Sequence, residues 1–208
     1  MTFILPRVYP ITDAQLSALS HKDQVKRLID AGAKLIQLRD KYAATRDFYQ
    51  DAEAALRVAR DQDVTLIIND RVDIALALKA DGVHLGQTDL PAHAARRLLG
   101  DRAIIGLSTH NLEQVQVARQ QPIDYIAFGP VFRTQTKEAP DPTTGLRTLK
   151  RVRHLTDLPL VAIGGISSEN APDVFAAGAD AVATISSIVG EPEKIAENFH
   201  RIVPSAAI

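Results

Sequence analysis

The feature that most constrains the fold is an alternation of eight short apolar runs with longer amphipathic stretches along the 208 residues. The apolar runs predict β-strands at 7–13, 34–40, 65–70, 82–86, 103–109, 125–130, 158–166 and 181–187. The stretches between them predict helices. In one of these, Val25, Leu28 and Ile29 sit at helical spacing and Gly32 is placed to end the helix. Strands that alternate with helices pair in parallel through right-handed crossovers.

Eight such units predict an α/β fold, the closed TIM (β/α)8 barrel, whose size range begins at roughly 200 residues. An open, doubly wound parallel sheet is the alternative that the pattern alone leaves. Residues 72–80 give the weakest predicted helix, because that segment is short. The chain has no evident linker or low-complexity tract, so we expect a single domain over residues 1–208.

Composition excludes several classes of function. The chain has no cysteine, so it can form neither disulfides nor thiolate metal sites. Its 24 basic and 25 acidic residues nearly balance, which argues against a nucleic-acid partner. No apolar run approaches the roughly 20 residues of a membrane span, and the start of the chain does not resemble a signal peptide. We therefore expect a cytoplasmic domain with small-molecule partners and no membrane partner; homo-oligomerisation stays open.

In a TIM barrel the functional residues lie where the strands end, and these ends are polar here. Gln37, Arg39 and Lys41 alternate along the second strand, so they share one face, while Ile36 and Leu38 should face the helices. Two cations at the barrel mouth suit a substrate with phosphate oxygens. A buried set of salt bridges, to Asp40 or other carboxylates, is the structural alternative.

Carboxylates follow the next two strands. Asn69 and Asp70 end the third strand, and Asp89 lies just past the fourth, before Pro91. Each of these residues could simply cap the helix that follows. Two carboxylates on neighbouring strand ends, with cations beside them, also match a Mg²⁺ site, since Mg²⁺ commonly takes one or two carboxylates plus water and substrate phosphate.

The last three strands end in residues that suit phosphate binding. Thr134, Thr136 and Lys137 lie on a long Pro- and Thr-rich loop of the kind that closes over a ligand, although Lys137 could equally be a solvated loop residue. Strands 7 and 8 commonly bind phosphate through backbone N–H groups in this fold. The residues at those two positions are Gly164, Gly165, Ile185 and Ser186.

Two histidines lie near the strand ends. We expect His84 to be packed inside the barrel, whereas His110 could be either a site residue or a neighbour of a helix cap. No Ser-His-Asp order and no HExxH pattern occurs in the sequence.

Taken together, the strand ends resemble the thiamine phosphate synthase family over nearly the whole chain. The matching motifs, in order, are "YPITD", "QLRDK", "INDRVDIAL", "GVHLGQTD", "IGLSTH", "FGPVFRTQTK", "AIGGIS" and "GADAVATIS". The resemblance implies a transferase on a TIM barrel that joins a hydroxymethylpyrimidine pyrophosphate to a thiazole phosphate, or its carboxylated form, in thiamine biosynthesis. The products implied by the resemblance would be thiamine phosphate and pyrophosphate.

The resemblance also implies residue roles. The pyrimidine-pyrophosphate pocket would contain Gln37, Arg39, Lys41 and Asn69, with Ser108 and Lys137 also on the pyrophosphate. Mg²⁺ would be held by Asp70 and Asp89. The thiazole-phosphate pocket would contain Thr134, Thr136, Gly165, Ile185 and Ser186. Arg39, Lys41, Ser108 and Lys137 would be the catalytic groups. Arg133 departs from the family, which often has proline there, and we expect this to alter the stiffness of the loop more than the chemistry.

Three other functions remain as alternatives. A related thiazole tautomerase shares the barrel but has no need for two metal carboxylates. A sugar-phosphate isomerase or epimerase would use the strand 7/8 phosphate site and leave the row of Gln37, Arg39 and Lys41 unexplained. A non-catalytic protein that binds thiazole phosphate would leave both the cations and the carboxylates without a role.

Overall fold

The computed structural model describes residues 4–134 and 142–202. It contains eight strands, each within a predicted run: β1 Val8–Thr12, β2 Leu35–Leu38, β3 Thr65–Asn69, β4 Gly82–Leu85, β5 Ile104–Thr109, β6 Tyr125–Phe128, β7 Leu160–Ile163 and β8 Ala181–Thr184. The strands form a closed barrel in sequence order, and β8 pairs in parallel with β1. This closure confirms the TIM barrel and excludes the open sheet.

Helices fill the connections in the described part of the chain. They are α1 Ala14–Ser17, α2 His21–Asp30, α3 Thr45–Asp61, α4 Val72–Leu78, α5 Ala92–Leu99, α6 Leu112–Ala118, α7 Gly145–Arg153, α8 Ala171–Ala176, α9 Ser186–Val189 and α10 Ile195–Ile202, with a 3₁₀ turn at Pro192–Lys194. As predicted, α2 stops before Gly32, whose φ is 93°. The weakest predicted helix is real but ends at Leu78. No helix in these ranges has the length and apolarity that crossing a bilayer requires.

The strands build two apolar layers because their side chains alternate. On β3, Leu66 and Ile68 pack outward against the helices, whereas Ile67 points into the barrel. On β2, Ile36 and Leu38 belong to the outer layer as predicted. The interior is filled by side chains such as Tyr9 and Tyr125, so the barrel has a packed core rather than a pore.

Three aspartates tie the amino-terminal ends of the strands together. Asp81, Asp124 and Asp180 each directly precede an even-numbered strand. Their carboxylates accept backbone N–H groups of the preceding odd strand at 2.8, 2.7 and 2.7 Å. We call these three residues the rim aspartates; their repetition was not predicted from the sequence.

Candidate active site at the barrel mouth

A cavity of about 450 Å³ opens at the carboxyl ends of the strands. Eleven of the thirteen predicted site residues line it: Gln37, Arg39, Lys41, Asn69, Asp70, Asp89, Ser108, Thr134, Gly165, Ile185 and Ser186. The other two, Thr136 and Lys137, lie outside the described residues. The sequence therefore identified one cavity from motifs that are far apart in the chain.

The row on and after β2 faces this cavity. Gln37 is buried and donates from Nε2 to the Tyr9 hydroxyl at 3.1 Å. Arg39 pairs with Asp13 at 2.9 Å, and Lys41 is hydrogen-bonded to Asp70. The cations are thus ion-paired, as the structural alternative expected, but their partners also lie at or beside the cavity mouth.

Asp40, the partner suggested for that alternative, is occupied differently. Its carboxylate accepts the N–H groups of Tyr42 and Ala43, both at 2.9 Å, and lies 3.4 Å from His21 Nε2. Burial favours a higher pKa for Asp40, but the two N–H groups and His21 outweigh it and lower the pKa overall. Asp40 therefore fixes the loop that carries Lys41.

Asp70 and Asp89 come into direct contact. Asp70 adopts a left-handed φ of 60°, and Asp89 accepts the Gly86 N–H at 2.6 Å. Burial, followed by the hydrogen bond with Asp70 and that residue's charge, raises the pKa of Asp89; Gly86 and Lys41 only partly offset this. The capping explanation is wrong, because α4 and α5 begin after Arg71 and Pro91 without a side-chain capping bond.

This pair fits a hard divalent cation. Two carboxylates in contact repel each other unless a proton or cation lies between them. Mg²⁺ is commonly held by one or two carboxylates, with water and substrate phosphate completing the octahedron. In residues 4–134 and 142–202 there is no cluster of three or more His, Cys, Asp or Glu side chains of the kind that encloses a metal. The arrangement thus suits a metal that shares its coordination with a ligand.

Both histidines also border the cavity. His84 packs inside the barrel as predicted, with its Nδ1 2.9 Å from the Tyr125 hydroxyl and its Nε2 2.8 Å from Ser108 Oγ. His110 Nδ1 lies 2.6 Å from the carbonyl oxygen of Gly129, so this side chain ties the end of β5 to the end of β6.

The strand 7/8 end of the cavity is shaped by backbone. Gly164 and Gly165 have φ values of 100° and 62°, and a Cβ on Gly165 would overlap the backbone of Arg133. The segment after β6 therefore packs directly on the segment after β7, and Phe132 donates to the Gly164 carbonyl at 3.0 Å. Ser186, which also lines the cavity, is the first residue of α9.

Sequence reasoning missed three residues that touch site side chains. Tyr9 contacts Gln37, Tyr125 contacts His84, and Asp13 pairs with Arg39. Tyr9 and Tyr125 occupy inward positions of their strands, so the period-two pattern could have placed them inside the barrel. Their contact joins residues 116 positions apart, and no local pattern encodes that.

Comparison with known proteins shows the family to which the chain belongs. A profile of the thiamine monophosphate synthase family matches residues 8–188. The thiamine-phosphate synthase of Koribacter versatilis is 43% identical over 208 residues, which covers 97% of both chains. That of Clostridium novyi is 45% identical over 184 residues, covering 88% of this chain and 90% of the relative.

Solved structures agree. Thiamine phosphate pyrophosphorylase from Pyrococcus furiosus superposes with a TM-score of 0.84 at 34% identity, covering 94% of this chain and 93% of that one. A 3-hexulose-6-phosphate synthase, with a TM-score of 0.69 at 14% identity over 95% of this chain and 98% of that one, shares the fold alone.

Proposed function

Because the chain belongs to the thiamine monophosphate synthase family, we propose that its cavity joins a hydroxymethylpyrimidine pyrophosphate to a thiazole phosphate, releasing thiamine phosphate and pyrophosphate. The relatives are enzymes by name, and this chain is an enzyme of the same kind. The observation that carries the proposal is the meeting of eleven predicted residues, from widely separated motifs, in one cavity.

The pyrophosphate would bind on the side of β2, β3, β4 and β5. Arg39, Lys41 and Ser108 line that side, and Lys137 is proposed to join them from the following loop. Asp70 and Asp89 would hold Mg²⁺ there, and its chemistry would be to stabilise the negative charge that develops on the departing pyrophosphate oxygens. Arg39 and Lys41 add fixed positive charge, which Asp13 and Asp70 keep in place before substrate arrives.

The reaction needs no covalent enzyme intermediate. The C–O bond to pyrophosphate breaks first, and its electron pair leaves with the pyrophosphate. The electron-rich aminopyrimidine delocalises the positive charge left on the methylene carbon. The thiazole nitrogen then donates its lone pair to form the new C–N bond, and no proton is transferred. Electron-withdrawing substituents on the pyrimidine should slow this dissociative step.

Positioning of the nucleophile would come from the other side of the mouth. Gly165, Ile185 and Ser186 line the cavity at the ends of β7 and β8, and Thr134 lies beside them. A thiazole phosphate held there, with Thr136 proposed to join from the loop, would direct its ring nitrogen toward the pyrimidine methylene. Holding both reactants in one cavity removes most of the entropy barrier to their encounter.

Two competing functions are less consistent with these residues. A thiazole tautomerase gives no role to the contact between Asp70 and Asp89. A sugar-phosphate isomerase gives no role to Gln37, Arg39 and Lys41.

We also propose that residues 1–208 act as one catalytic domain in the cytoplasm. The choice between the two forms of the thiazole needs a direct substrate comparison.

The test is product formation by purified protein supplied with both substrates, in Mg²⁺ or in EDTA. We expect thiamine phosphate only with Mg²⁺, and we expect the Asp101→Asn variant, which alters an exposed carboxylate far from the cavity lining, to match the wild type. Equal product in EDTA would contradict the metal site. No product in either condition from folded protein would contradict the reaction itself.

A further inference from the structure

Five side chains on five different strands form a continuous hydrogen-bonded chain beneath the cavity. It runs Gln37–Tyr9–Tyr125–His84–Ser108, with successive distances of 3.1, 3.0, 2.9 and 2.8 Å. We call it the cross-barrel chain. Its two ends, Gln37 and Ser108, line the cavity together with Tyr9 and His84, and Tyr125 lies in the barrel interior.

The middle of this chain is closed to water. Tyr9 and Tyr125 are 1% and 0% exposed, so each hydroxyl must be satisfied by protein groups. Burial raises the pKa of both phenols, so both keep their proton at neutral pH. Each phenol therefore supplies one hydrogen to the chain and accepts at least one.

One direction of donation satisfies every group in the chain. The Gln37 amide donates to the Tyr9 oxygen, so the Tyr9 hydrogen is available for Tyr125. With the Tyr125 hydrogen directed to Nδ1 of His84 and the imidazole proton on Nε2, His84 donates to Ser108 Oγ. In that arrangement the Ser108 hydroxyl would donate its own hydrogen into the cavity.

We propose that the cross-barrel chain sets the hydrogen-bonding polarity at both ends of the substrate cavity, with Tyr9, Tyr125 and His84 as positioning residues. At one end it fixes whether the oxygen or the nitrogen of the Gln37 amide meets the pyrimidine. At the other it holds the Ser108 hydroxyl as a donor for a pyrophosphate oxygen. No proton moves along the chain, and this inference rests on the proposed function.

The surrounding packing holds the middle of the chain in place. His84 stacks on Tyr125 with ring centroids 5.6 Å apart and an interplanar angle of 21°. Tyr9 meets Tyr125 edge-on at 5.9 Å and 80°. A Cβ at Gly106 would overlap the Tyr125 ring, so glycine on β5 provides the space that the phenol occupies.

The test separates the two ends of the chain. Tyr125→Phe removes the donor that fixes the His84 tautomer, so inorganic pyrophosphate with Mg²⁺ should bind about tenfold more weakly, as expected for loss of one hydrogen bond to a charged group. Tyr9→Phe leaves the bond from Tyr125 to His84 intact and should mainly raise KM for the pyrimidine substrate. Tyr49→Phe, the same change in the helix layer, should alter neither.

A double-mutant cycle decides whether Tyr125 acts through Ser108. In a Ser108→Ala background, Tyr125→Phe should weaken pyrophosphate binding by less than about twofold, because the group it positions is gone. An undiminished tenfold effect in that background, or wild-type affinity in Tyr125→Phe itself, would overturn the proposal. If Tyr125→Phe does not fold, His84→Asn, which removes the Nε2 group bonded to Ser108, takes its place in the same cycle.

Pyrophosphate binding, measured by calorimetry, keeps this test separate from the reaction. If the wild type binds pyrophosphate but forms no thiamine phosphate, the proposed reaction fails while the cycle still decides the inference. If it forms thiamine phosphate and the cycle shows no coupling, only the inference fails. A wild type that binds no pyrophosphate in Mg²⁺ would contradict both.

Discussion

The two ends of the barrel use aspartate in opposite ways. At the amino-terminal ends of the strands, the rim aspartates accept N–H groups of neighbouring strands, and Asp124 and Asp180 also pair with Arg96 and Arg153 at 2.7 Å. At the mouth, Asp70 and Asp89 lie against each other, which raises the pKa of Asp89. At the amino-terminal end the carboxylates hold strands together, whereas at the mouth two carboxylates lie together in the proposed ligand site.

This contrast explains how one fold can be stable and reactive at once. A carboxylate that accepts a backbone N–H and an arginine is satisfied before any ligand binds. A carboxylate pair in contact is a local destabilisation, and a bound cation relieves it. If this comparison is correct, substitutions at the mouth should change activity, and substitutions at the rim should change stability.

The largest effect should come from the mouth. Asp70→Ala or Asp89→Ala should lower the rate of thiamine phosphate formation about 100-fold or more, because the proposed Mg²⁺ loses one of its two protein ligands. The melting temperature should fall little, since neither side chain belongs to the apolar core. Unfolding of either variant in a circular-dichroism melt would instead give these residues a structural role like that of the rim aspartates.

Mg²⁺ should stabilise the protein in a pH-dependent way. Asp89 has a raised pKa in the folded state, so the folded protein binds a proton that the unfolded chain has released. Without metal, stability should therefore fall as the pH rises from the usual carboxyl pKa through the raised one. Mg²⁺ at about 100 times its Kd should add about 2.7 kcal/mol, equal to several degrees in melting temperature.

The pH series contains its own control. At a pH below both pKa values of Asp89 this carboxyl is protonated, so Mg²⁺ should give much less stabilisation. In Asp89→Asn the fall in metal-free stability across this window should disappear, while Asp101→Asn should behave as the wild type does. Equal stabilisation by Mg²⁺ in Asp89→Asn and wild type would place the cation elsewhere.

At the rim, the expected effect is on stability. Asp124→Ala leaves the Ile105 N–H and Arg96 without their carboxylate partner, so the free energy of unfolding should fall by about 2 kcal/mol. The rate per folded molecule should stay within about twofold of wild type, because residue 124 does not line the cavity. Urea unfolding and the product assay check the two statements independently. A large loss of activity with unchanged stability would break the comparison.

The sequence predicted the fold well because the evidence for a barrel is periodic. Eight apolar runs contain the eight strands, and the side-chain alternation of Ile36, Gln37 and Leu38 is a local consequence of an extended chain. It also identified the mouth residues, because strand ends in this fold converge on one place. Some predicted strands are longer than the observed ones because a turn begins inside the predicted run. The run 158–166 continues past Ile163, where β7 ends, but Gly164 and Gly165 have left-handed φ values.

The sequence could not show which aspartate does which task. Asp81, Asp124 and Asp180 directly precede strands whereas Asp70 follows one, but their partners are distant in the sequence, and such contacts are not encoded locally. The same limit hid the cross-barrel chain. Tyr9 was visible as a strand residue, yet its bond to Tyr125 depends on the closure of the barrel and on the space at Gly106.

The smallest predicted effect concerns Thr184, the last residue of β8. Within residues 4–134 and 142–202, its Oγ1 is a buried side-chain atom without a hydrogen-bond partner. Thr184→Val keeps the shape and removes that unsatisfied hydroxyl, so the free energy of unfolding should rise by about 1 kcal/mol. A stable variant with full activity would mean that the unsatisfied Thr184 hydroxyl has no role in the reaction, in contrast to the contact between Asp70 and Asp89. A stable variant with reduced activity would give Thr184, which borders the cavity beside Ile185 and Ser186, a role in binding the substrate.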